Sequence, residues 1–469
     1  MLGNRRFHTN MTIKVEDFLR IVRKVGPLQE FDSYRGLYER TPVEKLAVVK
    51  ISGQCIDESL EKIAEDLADL HKLGFVPTVT HGWGNALSSR LQTAGIPTRK
   101  ISDDRYTDSR VMEHVVKIAK EYIEKLKTAI EERGGKARIL WPEQTPVIIA
   151  EDKKDHRYGE HNGEIVRVNI EPVVEALRNG EIALVSPLGI SEDGRKLYNL
   201  NSASSSSRIV AALDPLKYLF LTGTKGILRT DQTVISEIVL NRDLEPLKRT
   251  GILTGGALKN VEEAAFSLNS RTDGEDKSVQ VTGSQNLMLE LYSQRGAGTY
   301  IRKGYYIEAE LIDLRNLEKV IQLIEKTFGE KLKPSFFEEC VKDAHVERRY
   351  KGLAVVIPEE NHPELRGISD YLDMIAIDCE YRGKGLGKDL LESIFDYQPA
   401  GDRRLFWRSK VSRNSFKNSP NKWYLQISDG HQRYTSNDGI DFNAFWIGLN
   451  QEQIQRALGF LENRPSNFE

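Results

Sequence analysis

The stretch from Tyr371 to Tyr397 constrains the fold most, because it joins a short apolar run to a helical pattern through a glycine-rich turn. The run over 371–377 has strand length, and apolar residues recur at helical spacing from Leu390 to Phe395. Glycines at alternate positions of the turn, residues 382–387, let backbone N–H groups converge, and a helix start adds unpaired donors. This pattern predicts a cradle for an anion such as a pyrophosphate. A solvated basic turn is the alternative.

The turn differs from two common nucleotide-binding loops. It lacks the Gly-Lys-Ser/Thr ending of a Walker loop and the acidic residue that follows a Rossmann turn after about twenty residues. We therefore expect a different pyrophosphate ligand. The candidate binding residues are Arg382, Gly383, Lys384, Gly385, Leu386 and Gly387.

A pattern of Arg-x-x-Gly-x-Gly between a strand and a helix resembles the acyl-CoA loop of the GNAT superfamily of N-acetyltransferases. Further blocks resemble the acetyltransferase domain of vertebrate-type N-acetylglutamate synthases in the same order, namely YLDMIAI, LFWRSK, WYLQISDG and FWIGL. The resemblance covers about residues 314–467. It implies an open mixed sheet flanked by helices, acetyl-CoA as acyl donor at a split between strands, and no metal in the transfer step.

Amide formation from a thioester requires a placed amine, donors for the developing oxyanion and a proton for the departing thiolate. Backbone N–H groups around Ile375 and Ile377 can supply the oxyanion donors. The resemblance implies Tyr424 as general acid, with Asn414 as the best match for a neighbouring catalytic asparagine. Asn418 and Asn421 are alternatives, because the segment SRNSFKNSPNK is longer here than in the family.

The acceptor site is predicted on the LFWRSK strand. Arg408 and Lys410 are two apart and so face one side, where they can share the carboxylates of glutamate. Met374 stands where the family tends to have a lysine, which we expect to raise the KM for glutamate.

The first half of the chain begins with a buried strand pattern over 46–51 that leads into Gly53, and the pattern repeats before Gly82 and Gly84. Strands then alternate with helical stretches, as a mostly parallel sheet requires. Over about residues 45–303 this resembles the amino-acid kinase fold of N-acetylglutamate kinases. The matching blocks are VVKISG, HGWGNAL, DRYTDSRVMEHV, LVSPLGI, LFLTGTKGIL and TGGALKNVEEA.

The kinase resemblance implies roles for individual residues. Lys50 and Lys259 would face the transferred phosphoryl group, and Arg105 would hold an acylglutamate carboxylate with its planar fork. The glycines that would let substrate approach backbone amides are Gly53, Gly82 and Gly84.

Two departures from the kinase pattern bear on activity. Trp83 interrupts the His-Gly-Gly-Gly turn that the family usually has. Ala203 stands at the aspartate of the kinase motif Asn-x-Asn-Ala-Asp, which organises the two lysines. We therefore predict that Lys50 and Lys259 face each other unpaired and that phosphoryl transfer is near background.

The segment QNLMLELY followed by RGAGT resembles the arginine site of the regulated kinases and synthases. The resemblance implies that Glu290, Gly296 and Gly298 receive L-arginine as effector, with the sign of its effect left open. The alternative is a helix C-cap at Gly296 with no ligand.

A length of 469 residues predicts about three domains. We place a helical segment at 1–40, a kinase-like domain at 41–304 and an N-acetyltransferase domain at 312–469. A net charge of −2 gives no electrostatic reason to expect nucleic acid or membrane partners. Three scattered cysteines favour a reducing compartment, hence the cytoplasm, with the mitochondrial matrix as the alternative. Phe18, Leu19, Ile21 and Val22 recur on one face of the helical segment. This face predicts either packing within the chain or, by resemblance, subunit contacts in a homotetramer.

The predicted fold is therefore α/β: an N-terminal amino-acid-kinase-like parallel-sheet sandwich and a C-terminal mixed-sheet GNAT-type N-acetyltransferase domain. The first functional hypothesis is an arginine-regulated acetyl-CoA:L-glutamate N-acetyltransferase that opens arginine synthesis. The second is a bifunctional enzyme that also phosphorylates N-acetylglutamate. The third is a non-catalytic arginine sensor.

Overall fold

The structure is a computed structural model of the chain. It describes residues 24, 28–97, 99–101, 104–271, 277–311, 317–337, 342–399, 401–411 and 420–469. The chain forms two compact units, residues 1–303 and 304–469. Within the described ranges, no helix combines the length and apolar character needed to cross a membrane.

The first unit alternates helices and strands. Its helices are α1 Leu28–Tyr38, α2 Gly53–Lys72, α3 Gly84–Thr93, α4 Ser109–Glu132, α5 Glu171–Arg178, α6 Ser202–Leu213, α7 Leu240–Arg249, α8 Gly255–Asn269 and α9 Leu287–Leu291. Its strands are β1 Ala47–Ile51, β2 Thr78–His81, β3 Lys100–Ile101, β4 Asp104–Arg105, β5 Ala137–Leu140, β6 Ile148–Asp152, β7 Gly163–Val168, β8 Ile182–Val185, β9 Gly189–Ile190, β10 Leu197–Tyr198, β11 Lys217–Thr222, β12 Glu237–Val239, β13 Ser278–Gly283 and β14 Thr299–Arg302.

Eight of these strands form one sheet in the order β12-β14-β13-β11-β1-β2-β8-β5. The central strand β1 pairs in parallel with β11 and β2, and all five of its residues are buried. Such an unbroken buried run is typical of a parallel strand covered on both faces. The predicted parallel-sheet domain is confirmed, with one antiparallel pair, β13 with β14. Separate sheets have the orders β10-β9-β6-β7 and β3-β4.

The second unit has one mixed sheet. Its helices are α10 Leu317–Phe328, α11 Leu386–Asp396, α12 Pro420–Ile427 and α13 Gln451–Asn463. Its strands are β15 Ile307–Leu311, β16 Asp343–Glu347, β17 Gly352–Ile357, β18 Asp370–Ile377, β19 Leu405–Lys410, β20 Gly430–Thr435 and β21 Asp441–Ile447, in the order β15-β16-β17-β18-β19-β21-β20. This confirms the predicted mixed sheet.

The sheet of the second unit opens in its middle. Strands β18 and β19 are parallel and pair only from Asp370↔Leu405 to Leu372↔Trp407. Beyond these positions the two strands have no register in common. On the other side of β18 a β-bulge leaves Asp373 as the extra residue, since Leu372 and Met374 face consecutive residues of β17. The parallel pair is therefore split towards its carboxyl end.

The helical segment predicted before residue 41 is described mainly as α1. Its apolar face predicted at Phe18, Leu19, Ile21 and Val22 lies outside the described residues. Within α1, Phe31 is buried and its ring lies 4.8 Å from that of Tyr292. This helix therefore packs within the first unit, against the segment that follows α9.

Candidate active site

The glycine-rich turn links β18 to α11 through two residues in the left-handed conformation. Gly383 has a φ of +79°, and Gly385, the N-cap of α11, has a φ of +93°. Residues with a Cβ rarely adopt such values, so the turn needs glycine at both positions. These two glycines bring the chain from the strand into the helix within a few residues.

The turn presents unpaired backbone donors. The Lys388 N–H already bonds to the Gly385 carbonyl, 3.1 Å away. Within the described ranges, no acceptor is present for the N–H groups of Gly383, Gly385, Leu386 and Gly387. Since they lie at the positive end of the α11 dipole, they form a site suited to an anion.

The side chain of Arg382 points back into the protein rather than into the turn. Its Nε donates to the Ile377 carbonyl at 3.1 Å and its Nη2 to the Thr327 carbonyl at 3.3 Å. Arg382 therefore braces the turn against the end of α10. Lys384 lies over the Tyr381 ring, with Nζ 5.1 Å from the centroid.

Helix α12 packs directly on the start of α11. A Cβ placed on Gly387 would lie 3.0 Å from a ring carbon of Trp423, so this glycine admits the indole. The neighbouring Tyr424 is 6% exposed, and its ring lies 5.5 Å from that of Trp407. The close approach at Gly387 therefore places α12, and with it Tyr424, beside the glycine-rich turn.

Burial raises the pKa of the Tyr424 hydroxyl, which is therefore protonated at neutral pH. In the described part of the chain, this hydroxyl has no hydrogen-bond partner. Tyr424 is thus a neutral O–H group that remains available as a proton donor.

The predicted oxyanion donors lie on the open part of β18. Ile375 and Ile377 pair with Ala354 and Gly352 of β17 on one side. On the other side, no described strand pairs with β18 beyond Leu372. Backbone groups along this free edge can reach a ligand placed in the split.

Arg408 and Lys410 lie on the opposite face of β19 from Trp407. Trp407 and Tyr424 belong to one apolar cluster, whereas Phe406 and Phe442 belong to another. The Arg408 guanidinium stacks on Phe442 at 4.5 Å, and Lys410 is exposed. Tyr424 and these cations therefore lie on different faces of the sheet.

Sequence reasoning missed two partners of Arg408. Its Nη1 donates to the Arg464 carbonyl at 2.7 Å and its Nη2 to the Pro465 carbonyl at 2.5 Å. No residue pattern points to backbone carbonyls so distant in the chain. Met374, predicted beside the acceptor, is 6% exposed and packs in an apolar cluster with Val320.

The asparagine predictions cannot be placed. Asn414 and its alternative Asn418 lie outside the described residues. Asn421 lies in α12, but its side chain is likewise outside the description. All three stay predictions.

The kinase-like site contains a cavity of about 130 Å³, lined in part by Trp83, Arg105 and Asn201. Arg105 is 8% exposed, and burial lowers its pKa. Its Nη2 donates to the Ser88 hydroxyl at 2.6 Å. The predicted carboxylate-binding arginine therefore lines a small cavity together with the unusual tryptophan.

The glycines of this region bring elements close together. A Cβ on Gly53 would lie 2.7 Å from Trp83 backbone atoms, and one on Gly82 would lie 2.9 Å from the Ser202 hydroxyl. Gly84 is the first residue of α3. Gly53 and Gly82 thus allow the starts of α2 and α6 to approach the turn after β2.

The prediction that both kinase-like lysines are unpaired is wrong for Lys259. Its Nζ lies 2.9 Å from Glu263, a buried residue four positions further along α8. Glu263 also accepts hydrogen bonds from Ser204 at 2.6 Å and Ser207 at 2.5 Å, both on α6. The serine run therefore donates hydrogen bonds to a carboxylate on another helix. The spacing of four residues between Lys259 and Glu263 is a sequence signal for the ion pair, but no sequence signal indicates its serine partners.

Lys50, in contrast, has no carboxylate partner within the described ranges. Its Nζ lies 5.8 Å from the centroid of Phe220, and burial lowers its pKa to about 8. The two lysines of the predicted site are therefore in unlike environments.

The predicted arginine-binding turn already holds a carboxylate. Glu290 is fully buried, and its Oε1 accepts the N–H groups of Ala297 and Gly298, each at 3.0 Å. Gly296 has a φ of +63°, and its missing side chain leaves the space that the carboxylate occupies. Burial raises the pKa of Glu290, and its Oε2 has no hydrogen-bond partner in the described part of the chain.

A buried lysine completes this region. Lys217 donates to the Ser293 carbonyl at 2.6 Å, and burial lowers its pKa to about 8. Tyr34 and Glu30 of α1 bond to Gln294, so α1 contacts the same segment. Among the described residues, no group of three or more His, Cys, Asp or Glu side chains is placed to hold a metal ion.

Comparisons with known proteins assign both units. Residues 45–274 match the amino acid kinase family, and residues 306–463 match the N-acetyltransferase of N-acetylglutamate synthase. An acetylglutamate kinase of Xanthomonas campestris is 29% identical over 93% of this chain and 98% of its own length. An acetylglutamate kinase of Clostridioides difficile is 30% identical over 55% of this chain and 91% of its own length.

The solved structures agree on the fold. The N-acetylglutamate synthase of Neisseria gonorrhoeae complexed with coenzyme A and N-acetyl-glutamate has a TM-score of 0.63 at 18% identity, covering 92% of this chain and 100% of its own. Its complex with coenzyme A and L-arginine has a TM-score of 0.54 over 92% of this chain and 99% of its own. The chain belongs to the family that joins an amino-acid kinase domain to an N-acetylglutamate-synthase-type acetyltransferase domain. It is an acyltransferase.

Proposed function

We propose that this protein transfers an acetyl group from acetyl-CoA to the amine of L-glutamate, the first step of arginine synthesis. The observation that carries the proposal is the set of N–H groups of Gly383, Gly385, Leu386 and Gly387, which have no acceptor among the described residues. They lie at the start of α11, inside the region that matches the synthase acetyltransferase. These donors suit the pyrophosphate of coenzyme A. The bound donor would supply a thioester carbonyl.

In the proposed reaction, a neutral amine attacks that carbonyl, so that a C–N bond forms and the C–S bond breaks. Backbone N–H groups along the free edge of β18, at Ile375 and Ile377, stabilise the oxyanion. The Tyr424 hydroxyl gives its proton to the departing thiolate and regains one from the attacking nitrogen. No metal enters these steps.

Arg408 and Lys410 are proposed to bind the carboxylates of glutamate. The guanidinium has five N–H donors, of which two are used by the carbonyls of Arg464 and Pro465. The remaining donors can bind a carboxylate bidentately. Asn414, or one of its alternatives, is proposed to lie near the reacting groups.

We further propose that L-arginine regulates this activity by binding around Glu290, Gly296 and Gly298. The buried Oε2 of Glu290, which has no hydrogen-bond partner in the part of the chain that the structure describes, supports this because it can accept a hydrogen bond from a cationic effector. A structure of a distant synthase contains L-arginine. In this proposal residues 1–40 make subunit contacts in a homotetramer, and residues 41–304 bind the regulatory arginine. Residues 312–469 carry out the acetyl transfer.

Two observations bear on the bifunctional alternative. Relatives named acetylglutamate kinase span almost the whole chain, which favours it. Against it, Ala203 offers no carboxylate to Lys50, although Glu263 supplies one to Lys259. We propose that kinase activity is near background and that the protein acts in the cytoplasm, with the mitochondrial matrix as the alternative.

The deciding experiment is thiol release from acetyl-CoA with a panel of amino acids as acceptors, with and without arginine. We expect L-glutamate to be the preferred acceptor and arginine to change the rate. No release with any amino acid would overturn the enzyme proposal and favour the arginine sensor. Retention of activity after treatment with a chelator tests the metal-free chemistry.

A further inference from the structure

A buried charge cluster lies at the β-bulge of β18. The Asp373 side chain is fully buried and lies 2.8 Å from Lys342 Nζ, 2.8 Å from Arg464 Nη2 and 3.0 Å from Asn467 Nδ2. Burial alone would raise the pKa of this carboxyl, but Arg464 and Lys342 lower it to about 2. None of these groups takes part in the proposed acetyl transfer.

The cluster fixes the backbone that holds Arg408. Arg464 contacts Asp373 with two nitrogens, Nη2 at 2.8 Å and Nε at 3.3 Å. The carbonyls of Arg464 and Pro465 accept hydrogen bonds from the two terminal nitrogens of Arg408. A single connection therefore runs from the buried carboxylate through a backbone segment to the arginine.

This connection spans the point at which the sheet opens. Leu372 and Trp407 are the last paired residues of β18 and β19. Asp373 and Arg408 are the residues that directly follow them on the two strands. The two ends of the connection thus flank the split in which the proposed reaction takes place.

We propose that Asp373 and Arg464 are positioning residues for the acceptor amino acid. They hold the backbone of residues 464–465, whose carbonyls orient the Arg408 guanidinium so that its remaining donors face an acceptor carboxylate. This inference rests on the proposed function. A preset orientation lowers the cost of ordering a long side chain when the substrate binds. The cluster consequently acts on glutamate binding and not on acetyl-CoA binding.

The test is Arg464→Lys, which keeps the positive charge but cannot contact Asp373 through two nitrogens of a planar fork. We expect the KM for glutamate to rise about tenfold or more, while the KM for acetyl-CoA stays within about twofold. Arg456→Lys is the matched control. Arg456 lies on α13 and donates to the Arg366 carbonyl at 2.5 Å, away from the bulge, so both KM values should be unchanged.

A second variant covers a failure of Arg464→Lys to fold. Asn467→Ala removes one hydrogen bond to Asp373 and keeps every charge, so we expect a smaller rise in the glutamate KM alone. The inference is wrong if the folded variants keep the wild-type glutamate KM, or if both KM values rise together. If the wild-type protein does not acetylate glutamate, the proposed function itself fails, which is a separate result.

Discussion

The two units differ in whether the backbone N–H groups of their glycine-containing turns already have an acceptor within the protein. In the second unit, the glycine-rich turn leaves the N–H groups of Gly383, Gly385 and Gly387 without an acceptor among the described residues. In the first unit, the turn after α9 gives its N–H groups to the carboxylate of Glu290. Both turns therefore present N–H groups suited to an anion. In the first unit the Glu290 carboxylate already accepts them, and in the second unit they remain available.

The kinase-like site continues this contrast. Lys259 is paired with Glu263, and Arg105 is bonded to Ser88. In the first unit, several of the predicted ligand-binding groups thus already have partners within the protein, whereas the glycine-rich turn of the second unit keeps N–H donors available for an anion. An exception within the second unit is Arg408, two of whose donors are already used.

The largest effect is expected from closing the open turn. Gly385→Glu places a carboxylate against the free N–H groups and forces a residue with a Cβ to a φ of +93°. We expect acetyl transfer and acetyl-CoA binding to be abolished, as measured by thiol release and calorimetry. Gly401→Glu is the control, because Gly401 has a φ of +88° and no atom within 4 Å of an added Cβ. Unchanged acetyl-CoA affinity in Gly385→Glu would contradict the cradle.

The next largest effect concerns the free hydroxyl of the open unit. Tyr424→Phe removes one oxygen, so kcat should fall about 10²-fold or more while acetyl-CoA binding is retained, the scale for loss of a general acid. Tyr218→Phe removes another buried hydroxyl that has no hydrogen-bond partner in the described ranges, and it should leave kcat unchanged. A wild-type kcat in Tyr424→Phe would assign the proton transfer to another group.

The third prediction concerns whether phosphoryl transfer can be restored in the kinase-like site. The assay supplies ATP, magnesium and N-acetylglutamate and traps acylphosphate with hydroxylamine. We expect the phosphorylation rate of the wild-type protein to be near background, since loss of one electrostatic group typically costs about 10²–10³ in rate. Ala203→Asp adds a carboxylate at the start of α6, which packs against β1, the strand of Lys50. We expect it to raise the phosphorylation rate above background.

Ala212→Asp, on an exposed position of the same helix, is the control and should have no effect. Wild-type phosphorylation at a rate comparable to acetyl transfer would make the protein bifunctional. In that case Glu263, which pairs with Lys259, would be the residue to examine as a substitute for the missing aspartate.

The glycine-rich turn of the second unit was easier to predict from the sequence than the contacts of the kinase-like site and of Arg408. Strand–turn–helix patterns are local, so the run before Gly383, the two glycines and α11 could be read from consecutive residues. The pairing of Ser204 and Ser207 with Glu263, and of Arg408 with the carbonyls of Arg464 and Pro465, depends on packing between distant segments. Residue types at these positions are compatible with many partners, and only the folded chain selects one.

The smallest effect is expected from a change to Glu290, whose carboxylate lies in the turn after α9. Glu290→Gln keeps an oxygen for the N–H groups of Ala297 and Gly298 but removes the charge. We expect the affinity for arginine to fall about tenfold or more, since a hydrogen bond to a charged group is worth about 1.5–3 kcal/mol. Glu262→Gln, at a surface pair with Lys248, is the control for the loss of one carboxylate. An unaltered arginine titration in Glu290→Gln would leave Glu290 as a structural residue of the turn.

The same variant has a signature in the pH dependence of stability. Because burial raises the pKa of Glu290 in the folded state, its protonation stabilises the fold at pH values below the unfolded pKa, and this contribution is lost as pH rises through the folded pKa. The glutamine side chain of the variant is neutral throughout. The melting temperature of Glu290→Gln should therefore exceed that of the wild type increasingly as pH rises through this window, and the two should converge in acid. Added arginine should narrow the difference at neutral pH, because a cation beside the ionised carboxylate offsets its burial in the wild type alone.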